Sequence, residues 1–152
     1  MRFQDVKRGH HIMKKNNPIY EYLGFHLLSA QIRRERSFVP KEIDIAIDKI
    51  KHDADDFSFN TTIKASEDEN ASFSFVFSAR FKLLDEEWNK TIGDDETLAG
   101  ILFPVAFPYF RQSIFAATND SLGAIALPII DLRGIKIGGG LKLIRKTNSK
   151  VK

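Results

Sequence analysis

From Phe73 to Leu83 the chain alternates without a break. Phe73, Phe75, Phe77, Ala79, Phe81 and Leu83 fall on one side, and Ser72, Ser74, Val76, Ser78, Arg80 and Lys82 on the other. A helix face repeats about every 3.6 residues, so a period of two held this long fixes a β-strand with one greasy and one wet face. That greasy face must be buried, and a single strand cannot bury it. The feature therefore demands further strands beside it and a second layer on top.

The strands lie upstream. Ile43, Ile45 and Ile47 alternate with Asp44, Ala46 and Asp48, until the phase slips after Lys49 and Ile50 falls out of register. A bulge or a strand end is expected there. Asp53, Asp55 and Asp56 mark a turn, and Phe57, Phe59, Thr61, Ile63 and Ala65 then share one face of a further strand. Glu67-Asp68-Glu69-Asn70 turns the chain into the Phe73 strand, giving an antiparallel meander with one apolar face. Tyr20 to Phe38 contains a first, more ragged strand around Phe25 to Ile32, ended by Pro40, which cannot donate to a central ladder.

The cover comes from downstream. With 152 residues and 43% hydrophobic content, the chain suffices for one domain with a proper core. Asp85 to Asp95 reads as a loop carrying Trp88. Glu96 to Thr118 reads as helix, with Pro104 and Pro108 dividing it near Phe103 and restarting it at Pro108. Phe110, Ile114 and Ala117 share one face of that second part, Tyr109, Ser113 and Ala116 or Ala117 a neighbouring one. The expected class is α+β, a four-stranded antiparallel sheet covered on one face by a proline-interrupted long helix. A flexible basic tail is expected over 1–17, a folded domain over 18–137, and a glycine hinge (Gly138 to Gly140) with a basic tail over 138–152, where Leu141 to Ile144 could form a short strand or helical turn.

Catalytic material is sparse. Asp53, Asp55 and Asp56 lack the glycine and bidentate Glu that an EF-hand loop needs. Gly138-Gly139-Gly140 before Lys142 lacks the GxxxxGK spacing of a phosphate loop, and neither His26 nor His52 has a partner at triad spacing. The absence of Cys excludes disulfides and thiolate chemistry. The chain reads as a binding protein, not an enzyme, with no cofactor. Residues 16–131 carry a net charge of −8 between basic ends of +4 (1–15) and +7 (132–152), so specific nucleic-acid binding is not expected. Neither an apolar leader core within 1–15 nor an uninterrupted apolar run of membrane-spanning length is present, which points to the cytoplasm and to no membrane insertion.

The informative residues are apolar. Thirteen Phe stand against three Tyr and one Trp, belonging either to the core or to an apolar binding surface. Ile101 to Phe110 is more apolar than a helix covering one sheet face requires, as an oligomer interface or a groove for extended apolar peptide would be.

Phe107-Pro108-Tyr109-Phe110-Arg111-Gln112-Ser113-Ile114 resembles the F-P-Y-x-R-E-x-I run that opens the long helix of the SecB-type protein-export chaperones. Ile101-Leu102-Phe103-Pro104 looks like a second imperfect copy. Leu127-Pro128-Ile129-Ile130-Asp131-Leu132 resembles that family's L-x-P-V-N-F segment, and four strands precede both in the family's order. The likeness runs from about Leu23 to Ile135. It implies a dimer or dimer of dimers that binds unfolded polypeptides without ATP, whether export-bound or antitoxin-like, with a secretion motor or a toxin–antitoxin pair as possible partner. Client or interface contacts would fall on Phe107, Tyr109, Phe110 and Ile114, with Leu127 and Ile129 flanking the groove and Phe38 from the crossover. That crossover is shortened to Ser37 to Lys41, the C-terminal helix gives way to glycines and a basic tail, and Gln112 stands where an acidic residue is usual. Two other readings stay open: a structural or adaptor protein using the apolar helix only for self-association, and a small-ligand pocket or enzyme built on the sheet, with a closed pocket holding His26 or Trp88.

Overall fold

The computed structural model describes residues 17–127 and the backbone of 141–144. Strands β1 (Tyr20–Arg34), β2 (Glu42–Asp53), β3 (Asp56–Asp68) and β4 (Ala71–Leu83) are followed by helices α1 (Glu86–Ile92) and α2 (Asp95–Ala117) and by strand β5 (Leu141–Ile144). The open antiparallel sheet has the order β1-β4-β3-β2-β5. Its four main strands are those the alternation predicts. The fifth, from the segment left between strand and helical turn, pairs Leu141 to Ile144 against Ile45 to Glu42.

Register explains the core. Ile45, Ile63 and Phe75 line up across β2, β3 and β4, as do Ile47, Thr61 and Phe77, so each row is a buried ridge, apolar but for the Thr61 hydroxyl. Phe57, Phe59, Phe75, Phe77 and Phe81 are fully buried. The phase slip in β2 is a bulge between Asp48 and Lys51, with Lys49 at φ 51°. The raggedness of β1 comes from two more, between Tyr22 and Gly24 and between Leu27 and Ser29. Each inserts one leucine, Leu23 and Leu28, and each is exposed. The first bulge lets Tyr22, Phe25 and Leu27 all oppose core-facing residues of β4 (Phe81, Ala79 and Phe77), and the second does the same for Ala30 and Ile32 (Phe75 and Phe73).

Two expectations for the helical layer are corrected. The stretch expected as a loop contains α1, a two-turn helix. Its N-cap Asp85 accepts from the Trp88 backbone N–H at 3.1 Å, and Gly93 closes it at φ 98°. No break separates Phe103 from Pro108, because α2 runs through both prolines. Each proline deprives the carbonyl four residues earlier, at Gly100 and Pro104, of its donor. Pro104 is half-buried and Pro108 exposed, on the side of α2 turned from the sheet, so the loss falls where it costs least. The other side buries Leu98, Leu102, Phe103, Ala106, Phe107, Phe110 and Ile114. His52 Nδ1 and Asp95 Oδ1, 2.8 Å apart, tie the end of β2 to the first turn of α2.

Candidate functional site

Both ends of α2 are fixed by side chains. Asp94 caps the start, accepting from the Thr97 N–H at 2.7 Å, and that bond holds its carboxyl below the usual range. At the far end the Thr118 hydroxyl donates to the Ile114 carbonyl at 2.8 Å and accepts from the Ile125 N–H at 2.8 Å. This buried hydroxyl pins the returning chain to the helix end. Asp120 accepts from the Leu122 N–H at 2.8 Å, and Gly123 takes a φ of 89° that disfavours side chains, which together reverse the direction.

The returning segment buries Ile125 and Leu127. Between it and the outer side of α2 lies an open cleft of about 440 Å³ lined by Pro108, Arg111, Gln112, Phe115, Ala126 and Leu127. Its walls are apolar except for Arg111 and Gln112. Phe115 stands 47% exposed here, while Ile101 at 41% and Tyr109 at 46% are exposed elsewhere on the helix. Tyr109 stacks on Tyr22 of β1 with ring centroids 5.0 Å apart. Burial, and secondarily the neighbouring Tyr109, push the Tyr22 hydroxyl up to about 12.

By length and apolar composition α2 would suffice to cross a bilayer, but its inner side is packed on the sheet. Between Glu96 and Asp120 its only charge is Arg111. A helix covering one sheet face needs a single apolar stripe; this one is apolar nearly all round.

The expected contact residues divide. Tyr109 is exposed, and Leu127 reaches the cleft from a buried position. Phe107, Phe110 and Ile114 lie in the core, Phe110 stacked on Phe77 at 4.4 Å between centroids, so in this fold their surface is taken up by the sheet. Phe38 is also buried, its ring 6.3 Å from Phe73. Ile129 lies outside the described residues. Pro108, Arg111, Gln112, Phe115 and Ala126 line the cleft and are not among the expected contact residues. Helical arithmetic could have found Phe115: five positions after Phe110, it lies about 140° round the helix from that core stripe.

A second apolar surface runs along β1, at the sheet edge, where Leu23, Leu27, Leu28 and Ile32 are between 41% and 54% exposed. The open sheet face is polar instead, with Gln31, Ser74, Lys64 and Asp44 in one row beside a shallow cleft of about 590 Å³. His26 pairs with Ser78 there and is exposed, whereas Trp88 leans on Tyr20 at 6.4 Å. Among the described residues no three His, Asp or Glu side chains gather as a metal site would need.

No family model and no curated protein matches the chain. Among solved structures, the chain is similar to a Mycobacterium tuberculosis SecB-like chaperone in complex with a ChAD peptide from the HigA1 antitoxin. The two share 17% identity at a TM-score of 0.49, over 74% of this chain and 91% of that one.

Proposed function

We propose that this protein is a chaperone-like, ATP-independent binder of unfolded, apolar-rich polypeptide that works as a homo-oligomer in the cytoplasm. The observation that carries the reading is the outer side of α2. Ile101, Pro104, Val105, Pro108, Tyr109 and Phe115 continue the apolar surface past what the sheet covers, and an open cleft lies beside Phe115. Apolar area of this kind on a folded chain marks an interaction surface. The cleft is open along the helix, which suits an extended segment better than a compact ligand. The resemblance of Phe107 to Ile114 to the SecB-type motif supports the same class of client, export-bound or antitoxin-like.

Self-association is supported by the β1 edge. A 15-residue edge strand with four exposed apolar side chains is a template for pairing with another strand. A dimer, or a dimer of dimers, would cover it. The same surface favours the second reading, an adaptor whose apolar surfaces serve assembly alone.

Substitution of Phe110 cannot separate the two, because that ring is core. Phe115→Ser and Leu28→Lys can. Polypeptide binding predicts that the protein delays aggregation of an unfolded substrate at micromolar concentration. Phe115→Ser should weaken that protection without changing native mass, and Leu28→Lys should lower the mass. A wild type giving no protection overturns the chaperone reading, and a Phe115→Ser variant that loses mass instead of protection favours the adaptor.

A further inference from the structure

The cleft beside α2 has one ionisable wall residue, Arg111. Three of the other described arginines are matched to carboxylates: Arg34 to Asp120 at 2.7 Å, Arg36 to Asp68 at 2.7 Å and Glu67 at 3.0 Å, Arg80 to Asp56 at 3.0 Å; Arg33, at the end of β1, is not. Arg111 has no carboxylate partner among the described residues, and none of the other five cleft residues is acidic. Gln112 adds an amide and no charge. Arg111 is half-buried beside Pro108, Phe115 and Leu127, and a carboxylate that pairs with it against these apolar walls gains more than at an open surface.

We propose that this cleft selects extended polypeptide segments in which an Asp or Glu side chain lies next to a large apolar residue. The apolar side chain packs against Pro108, Phe115 and Leu127, the carboxylate pairs with Arg111, and the Gln112 amide meets the backbone of the segment. The inference rests on the polypeptide-binding reading above and adds selectivity to it.

The test is fluorescence anisotropy with short labelled peptides sharing one apolar core, acetylated and amidated at their ends, with Glu, Gln or Lys at one neighbouring position. A fourth peptide carries Gln and a free C-terminus. For the wild type, the Glu peptide should bind roughly 10-fold tighter than Gln, with Lys weakest, and the advantage should shrink with added salt. Arg111→Gln should erase the Glu–Gln difference while holding Gln-peptide affinity within roughly 3-fold, and Arg111→Glu should invert the order to favour Lys. Circular dichroism checks that both variants are folded.

Equal binding of Glu and Gln peptides by the wild type overturns the selectivity and leaves polypeptide binding intact. Preference for the free C-terminus equal to that for Glu makes the cleft a chain-end site and overturns the side-chain assignment. A change of native mass in Arg111→Glu without a change in peptide order makes the cleft a contact between copies, which also overturns it. Absence of binding by every peptide, together with no protection of unfolded substrate, defeats the underlying reading itself.

Discussion

Arg34 donates from Nη2 to Asp120 Oδ1 at 2.7 Å, though the arginine side chain is only 2% exposed and the aspartate 58%. The same nitrogen donates to the Thr118 carbonyl at 2.7 Å, so the last residue of β1 holds the end of α2 and the turn that follows. Its Nε and Nη1 are buried without partners among the described residues. Two strong bonds therefore work against two desolvated nitrogens, and the net effect is smaller than the count of bonds implies. Arg34→Ala should cost about 2 kcal/mol, whereas Arg34→Met, which keeps the apolar stem and removes the unpartnered groups, should cost roughly half as much. Urea midpoints at constant slope distinguish them. Equal losses would mean that the bonds to Thr118 and Asp120 dominate.

Acid should loosen the same corner. The Leu122 N–H first, and Arg34 second, hold the Asp120 carboxyl below the usual range. Arg36 does so for Asp68, Arg80 for Asp56, and the capping bond from Thr97 for Asp94. Folding lowers each of these values, so their stabilisation is complete above the unfolded carboxylate range and is lost as pH falls through the lower folded values. The stability curve should be flat near neutrality and drop below about pH 4. Asp120→Asn should make the acid limb shallower, measured by thermal melts between pH 2 and 7.

Thr61 tests how pure the core needs to be. It occupies a sheet position between Phe59 and Ile63, is fully buried, and its hydroxyl finds no partner among the described residues. The ordinary stripe on either side would accept a methyl in its place. Thr61→Val should raise stability by about 1 kcal/mol, read as a higher denaturant midpoint, and a lower midpoint would show that the hydroxyl is satisfied in solution.

What could be read beforehand depended on how local the signal was. Strands β2 to β4 announce themselves because Ile43 to Ile47, Phe57 to Ala65 and Phe73 to Leu83 keep one phase over their length. In β1 the phase is broken twice, by the bulges that extrude Leu23 and Leu28, so its apolar edge looked only like a poor strand. Proline misled in α2, since its penalty assumes a helix whose every carbonyl needs a donor. Here the affected carbonyls belong to Gly100 and Pro104, and the packing of Phe103, Phe107 and Phe110 on the sheet holds the helix together. The cleft was not legible at all. It depends on the path of Ile125 to Leu127 back along α2, which Thr118 and Asp120 set through contacts that no periodicity encodes.

Phe110 and Phe115 stand on different sides of one helix, the first against the sheet and the second at the cleft. Phe110 is fully buried, stacked on Phe77 and edge-on to Phe25 at 5.7 Å, so Phe110→Ala should cost about 3–5 kcal/mol and unfold much of the population. Phe115 is 47% exposed at the mouth of the cleft, and Phe115→Ala should shift stability by no more than about 0.5 kcal/mol. Its effect should instead fall on apolar partners, whose affinity drops several-fold because the ring supplies much of one wall. Denaturant midpoints and peptide affinities measured on both variants separate the roles. If Phe115→Ala proves as destabilising as Phe110→Ala, the outer side of α2 is structural in the assembled protein, and the polypeptide surface has to be sought along β1 instead.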